Sequence, residues 1–262
     1  MITSASNGKI KTIQNLRKKS KYRKEEKLFI IEGTRLFQET PRHLLKEVYV
    51  SENAENSLKD QLINIKYEVV SDNIFTSISD TTTPQGILAV VKQPCYSLEE
   101  ILAKENPLLL ILEDLQDPGN LGTIMRTAEG AGVTGILMTK GCVDIYNPKV
   151  VRSTMGSIYR MPFLYLENQQ EFVEIFRQLK EKNIITYGAA LMESKDYDQY
   201  SYEKGTAFVI GNEGNGLSET ALSNCEKYVK IPMCGQLESL NAAVASSILM
   251  YEAFRQRRLE IP

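Results

Sequence analysis

The stretch IPMCGQLESLNAAVASSILM, Ile231–Met250, sets an apolar strand end, a loop of small and polar residues and a small-residue helix directly in series. Ser239 and Asn241 fall at the loop-to-helix junction. Short polar side chains there cap unpaired amides and can equally hold a ligand. Leu240, Val244, Ile248 and Tyr251 repeat at helical spacing and read as the apolar stripe, while Ala242, Ala243, Ala245, Ser246 and Ser247 leave room for a neighbouring element to come close. An N-capped core helix accounts for this stretch taken alone. The loops upstream give it a second meaning.

Working back from it, strands and helices alternate: strand Leu108–Leu112, a loop and helix through Ala131, strand GILMT, helix EFVEIFRQLKEK, strand IITYG, and strands at Thr206–Ile210 and Tyr228–Ile231. This order predicts an α/β fold with a mostly parallel sheet covered on both faces and ligands beyond the carboxyl ends of its strands. Earlier, the apolar bursts Leu28–Ile31, Val48–Val50, Tyr67–Val70 and Ile87–Val91 describe a smaller α/β domain. The polar, helical SLEEILAKENP places a linker around Gln93 to Pro107. The expected domains are therefore 1–95 and 107–262.

At 262 residues, 42% hydrophobic and 24% charged, the chain reads as a globular protein with room for both domains. Its longest apolar run is far too short for a membrane span, and its start lacks the apolar core of a secretory signal, so a cytoplasmic protein is expected. Four dispersed cysteines form no CxxC pair, and the lone His43 sits beside Pro41 and Arg42 in a loop. A metal cluster, a redox motif and a Ser-His-Asp triad are thus disfavoured, and the thiols are expected to be free and buried. The net charge of −2 hides a local concentration: Lys9, Lys11, Arg17, Lys18, Lys19, Lys21, Arg23, Lys24 and Lys27 crowd the first 27 residues around Ile10, Ile13 and Leu16. A helix with a basic face suits phosphate contact, or is simply solvated.

Two further loops carry chemistry. In LEDLQDPGNLGTIMRTAEGAG a turn of Asp117, Pro118, Gly119 and Asn120 leads into a helix bearing Arg126, which can pair with phosphate or carboxylate. In TAFVIGNEGNGLS a buried strand enters Gly211, Glu213, Gly214 and Gly216 before a helix near Leu217 or Ser218. The glycine order is GxxGxG, not the GxGxxG of dinucleotide sites, and no Gly-Lys-Ser/Thr is present. An acidic residue inside the loop repels phosphate, so it suits a ligand read through backbone groups, with Glu213 engaging a cation or donor.

PGNLGTIMRTAEGAG, FVIGNEGNGLS and IPMCGQLESLNAAVASSILMYE together resemble the three signature motifs of the SpoU (TrmH-like) RNA ribose 2′-O-methyltransferases of the SPOUT class, in order and spacing across most of residues 108–258. FIIEGTRLFQE and TTTPQGILAVV resemble the family's N-terminal substrate-binding domain. The resemblance implies a C-terminal α/β trefoil-knot domain that uses S-adenosylmethionine, a smaller RNA-binding domain before it, and a homodimer with the site near the subunit interface. It further implies cofactor contacts at Gly211, Ile231 and Leu240, and at Ala190 and Leu191 after strand IITYG. Asn120, Arg126, Glu213, Ser239 and Asn241 match the family's polar active-site set.

The implied reaction needs alignment of a ribose 2′-hydroxyl with a sulfonium methyl, and no metal. A guanidinium is too basic to lose a proton readily at neutral pH. Arg126 is therefore expected to orient and stabilise the developing alkoxide or an adjacent phosphate. Asn120, Ser239 and Asn241 position nucleotide and cofactor, and Glu213 organises Arg126 or the loop. Ribosomal RNA is favoured over tRNA by the two-domain form. The alternative is a noncatalytic RNA-binding protein that retains the fold; a nucleotide-dependent oxidoreductase is disfavoured by the glycine order.

Overall fold

The computed structural model describes residues 1–191, 193–236 and 239–258. Leu237 and Glu238, inside the stretch that opens the sequence analysis, lie outside the described residues, as does the end of the expected second domain from 259 onward. The first elements are α1 (Gly8–Lys18), α2 (Ser20–Glu26), β1 (Leu28–Glu32), α3 (Thr34–Glu39), β2 (Leu45–Ser51), β3 (Glu68–Val70), α4 (Asp72–Ile78) and β4 (Ile87–Lys92). There follow α5 (Leu98–Leu102), β5 (Leu108–Leu112), α6 (Pro118–Gly130), β6 (Gly135–Thr139), α7 (Pro148–Thr154), β7 (Phe163–Leu166), α8 (Gln169–Glu181) and β8 (Ile185–Ala189). The chain closes with β9 (Lys195–Asp196), β10 (Thr206–Ile210), α9 (Glu219–Asn224), β11 (Lys227–Lys230) and α10 (Ala242–Arg258).

Two compact units result: Met1–Cys95 with Asp144–Tyr159, and Tyr96–Val143 with Arg160–Pro262. A cut at 95 and 107 therefore leaves out one piece of the first unit, the segment from Asp144 to Tyr159. Its membership is set by contacts distant in sequence. Arg23 pairs with Asp144 at 2.6 Å, Phe29 stacks near Tyr146 with ring centroids 4.9 Å apart, and the hydroxyls of Thr40 and Tyr159 are 2.8 Å apart. No local periodicity encodes these.

The first unit holds a mixed sheet in the order β1-β4-β2-β3, with β3 parallel to β2 and the other pairs antiparallel. α1 is helical because Asn7 caps its first turn and Ile10, Ile13 and Leu16 share one face. Those three are fully buried among Ile30, Tyr49, Phe75 and Val90, each burial being worth about 1.5–3 kcal/mol. The basic segment is accordingly part of the core and not an appended arm. Three of its cations are committed internally: Lys9 pairs with Glu68, Arg17 donates to the Ser77 and Ser79 carbonyls at 3.1 and 2.6 Å, and Arg23, buried, also donates to the Leu16 carbonyl at 2.6 Å.

The second unit holds a seven-stranded sheet, β7-β6-β5-β10-β8-β11-β9, parallel at every described pairing. β5 and β10 are buried at every residue and lie side by side, Leu108 opposite Thr206 through Leu112 opposite Ile210. From β5 the chain steps outward to β6 and β7, then returns to the other side, so the strand order reverses between β5 and β10. That crevice is where such sheets bind ligands. The sequence reading lacks β7, β9 and α7, which are short and flanked by irregular chain.

α10 buries Ala242, Ala243, Ser246, Leu249, Met250 and Ala253 and packs against α6. The expected apolar stripe is split, for Val244 is 48% and Tyr251 47% exposed while Leu240 and Ile248 are half-buried. The buried side combines small residues, which let α6 come close, with Leu249 and Met250, and it leaves Val244 and Tyr251 uncovered. All four cysteines are free as expected, but only Cys142 is buried; Cys95 and Cys234 are exposed.

Candidate active site

The loop after β10 folds over on itself. Asn212 and Gly216 exchange backbone hydrogen bonds of 3.0 and 2.9 Å, and the Asn212 side chain accepts from the amides of Gly214 and Asn215 at 2.9 and 3.1 Å. A Cβ on Gly211 would lie 2.2 Å from the Gly216 carbonyl carbon and oxygen. Glycine at 211 is thus demanded first by closure of the loop, before any ligand is considered.

This loop is stitched to the segment after β5. The Asn212 amide donates to the Asp114 carbonyl at 2.8 Å. The buried Glu113 carboxylate accepts from the Ser218 backbone amide at 2.9 Å and from its hydroxyl. Glu213 reaches furthest, accepting from the amides of Gln116 and Asp117, both at 3.1 Å, and from the Asn120 side chain at 3.0 Å. Burial pushes the Glu213 carboxyl up, but Asn120 and the backbone amides of Gln116, Glu213 and Asp117 outweigh it and hold the group below its ordinary value. It is ionised at neutral pH and accepts three hydrogen bonds from the segment after β5.

Asn120 then links onward. Its side-chain oxygen accepts from the Asn241 amide at 2.9 Å, while the Asn241 oxygen caps α10 by accepting from Ala243 and Val244 at 2.9 and 3.3 Å. Three of the five polar residues singled out in the sequence, from three separate loops, therefore form one chain of hydrogen bonds: Glu213, Asn120, Asn241. The caps are shared with it, since Asp117 caps α6 through the Asn120 amide at 2.8 Å.

Beside this chain opens a cleft of about 660 Å³, floored by Ile210, Leu217, Val229 and Leu249. Ala190, Leu191, Gly211, Ile231, Leu240 and Ser239 all line it. Arg126 does not; it sits exposed on the third turn of α6 and makes no hydrogen bond or ion pair among the described residues. The lining also includes Glu193, Asn215 and Lys230, which sequence reasoning did not pick. Lys230 directly precedes Ile231 and could have been found from that adjacency; Glu193 comes from the turn after β8, which carries no recognisable pattern.

The donor set fits S-adenosylmethionine. The volume falls within the roughly 300–1,000 Å³ of small-ligand sites, and an apolar floor rimmed by backbone groups and a few polar side chains suits a purine joined to an amino acid. Among the described residues no cluster of His, Cys, Asp and Glu could hold a metal ion.

Residues 107–251 match the SpoU rRNA methylase family and residues 7–89 match the MRM3-like substrate-binding domain. The chain is 35% identical over 252 residues to the 23S rRNA (guanosine(2553)-2′-O)-methyltransferase RlmP of Bacillus subtilis, covering 95% of this chain and 97% of that one. It is 31% identical to the human mitochondrial rRNA methyltransferase 3, covering 95% and 73%. Among solved structures, the SpoU methyltransferase AviRb of Streptomyces viridochromogenes in complex with AdoMet superposes with a TM-score of 0.86 at 26% identity, covering 97% of this chain and all of that one. An AdoMet-bound rRNA methyltransferase of Sinorhizobium meliloti superposes with a TM-score of 0.84 at 28% identity, covering 100% and 98%. This chain belongs to the SpoU rRNA methylase family.

Proposed function

We infer that the protein transfers a methyl group from S-adenosylmethionine to a ribose 2′-hydroxyl of RNA, and that the RNA is ribosomal. The observation that carries this reading is the hydrogen-bonded chain Glu213–Asn120–Asn241 at the rim of the cleft, in a chain that aligns almost end to end with an rRNA 2′-O-methyltransferase. The bound cofactor supplies an electrophilic methyl; the protein holds, orients and excludes water. Gly211, Ile231, Leu240, Ala190 and Leu191 hold the cofactor, mainly through backbone groups. Ser239, whose hydroxyl makes no hydrogen bond among the described residues, and Asn241 meet cofactor and nucleotide at the mouth.

Glu213 is a holder and not a base, because the hydrogen bonds it accepts stabilise its ionised form and hold it below its ordinary value. Arg126 is the group left with unspent donors. It stabilises charge developing on the ribose oxygen or neutralises an adjacent phosphate. Its place outside the cleft supports a homodimer in which a second copy completes the site. The uncovered stripe of Val244 and Tyr251 on α10 is the surface we assign to that contact. We further propose that the chain around α10 forms the deep trefoil knot of the SPOUT class, and that the enzyme works in the cytoplasm, where its RNA is assembled.

The test is transfer of labelled methyl from S-adenosylmethionine to ribosomal RNA, with the modified ribose mapped by its resistance to alkaline cleavage. The guanosine named for the Bacillus relative is the first position to read. Cofactor binding without methyl transfer to any RNA would leave a noncatalytic RNA-binding protein.

A further inference from the structure

The basic helices supply less free charge than their sequence suggests, because Lys9, Arg17 and Arg23 are spent on internal partners. The lysines left exposed there can attract phosphate but carry no means of reading a base. Another part of the same unit does.

The chain from Asp80 to Gly86, between α4 and β4, is held at nearly every point except its tip. Glu32, buried at the end of β1, accepts from the Asp80 amide at 2.8 Å and from the Thr81 hydroxyl. The Asp80 carboxylate pairs with Arg152 of α7 at 2.6 Å. The Gln85 side-chain oxygen accepts from the Thr34 amide at 2.9 Å and from its hydroxyl at 3.2 Å. Just upstream, Arg17 grips the Ser77 and Ser79 carbonyls. A carboxylate buried to hold a surface loop costs desolvation that a passive connection would not require.

What the bracing leaves outward is Thr82, Thr83 and the Gln85 amide group, with Arg35 on the neighbouring first turn of α3. Thr82, Thr83 and Arg35 are exposed and make no side-chain hydrogen bond or ion pair among the described residues. Hydroxyls and an amide read base edges, and an unpaired guanidinium takes phosphate or stacks on a base. Their fixed backbone lowers the ordering cost on binding. We propose that the tip of the 80–86 loop, together with Arg35, is the element that reads unpaired bases of the RNA substrate. The inference rests on the RNA methyltransferase reading and names where that substrate is recognised.

The experiment is steady-state methylation of ribosomal RNA by the full chain carrying Arg35→Ala, Thr82→Ala and Thr83→Ala together. None of these side chains braces the fold. The expected result is a rise of at least tenfold in KM for RNA, with kcat and S-adenosylmethionine affinity within about twofold. Arg35→Ala alone should reduce the salt slope of RNA binding by about one. A triple variant with wild-type KM, while the wild-type protein methylates the RNA, overturns the proposal and leaves the enzyme reading intact. Wild-type protein that methylates no RNA overturns the enzyme reading, and this proposal with it.

Discussion

Two loops in this protein are braced by buried carboxylates from neighbouring strands, and they end in opposite arrangements. The loop after β10 is held by Glu113 and folds inward, so that its backbone walls a cleft with an apolar floor. The 80–86 loop is held by Glu32 and turns its hydroxyls outward. On the two assignments proposed above, the same device, a carboxylate accepting from backbone amide and hydroxyl, serves a small ligand in one case and a macromolecule in the other. The sheet beneath decides between them. A parallel sheet gathers several strand ends at one edge and makes a crevice there, whereas the four-stranded mixed sheet has too few ends on one side to enclose a ligand.

The hardest break in this comparison is Gly211→Val. Branched bulk against the Gly216 backbone should remove cofactor binding from calorimetric detection, a loss above about 1,000-fold or roughly 4 kcal/mol. RNA binding through the first unit should persist. An unaltered isotherm in a folded variant would move the cofactor site elsewhere.

Arg23→Ala attacks the other unit. It leaves Asp144 buried without its cation, and both side chains are nearly enclosed, 4% and 12% exposed. Chemical denaturation should lose about 3–5 kcal/mol, with cofactor affinity below the transition unchanged within twofold. Joint loss of cofactor affinity would mean that the two units do not keep separate accounts.

Arg126→Ala should lower turnover by about 10²–10³, or about 2.7–4 kcal/mol, while cofactor affinity stays within a few fold. A cost below about tenfold, 1.4 kcal/mol, removes the catalytic assignment.

The smallest effect is a labelling pattern. Burial raises the Cys142 thiol to about 11 and, with Glu113 nearby, the Cys225 thiol to about 12. A raised value leaves little thiolate at pH 8, so these two should react slowly and the exposed Cys95 and Cys234 fast. Four equal rates would show that the cleft side of the second unit opens readily.

Much of the site is written in local sequence. The cap at Asp117, the cap at Asn241 and the GxxGxG turn are each short-range features, and the polar residues they carry meet in one network. One wall of the cleft is equally legible, since β10 is an unbroken apolar run that ends at Ile210 in its floor. The orientation of α10 is not. Leu240, Val244, Ile248 and Tyr251 give a clear periodic signal, yet the buried face runs through Ala242, Ala243, Ser246, Leu249, Met250 and Ala253, so the signal misplaces Val244 and Tyr251. The committed arginines are hidden for a related reason. A basic residue reads the same in sequence whether its partner is water, the Ser79 carbonyl or Asp144.

The split make-up of the first unit also fixes when it can mature. A ribosome releases residues 1–95 well before Asp144 and Tyr159, and during that interval Arg23 has no carboxylate and Thr40 no phenol. At a synthesis rate of about 5–20 residues per second, the 64 residues from 96 to 159 hold the nascent unit incomplete for roughly 3–13 s. The amino-terminal unit is thus first to emerge yet must wait for the chain that follows β6. A chaperone or a stalled ribosome acting in that window would meet a basic segment whose Arg23 is not yet locked to Asp144.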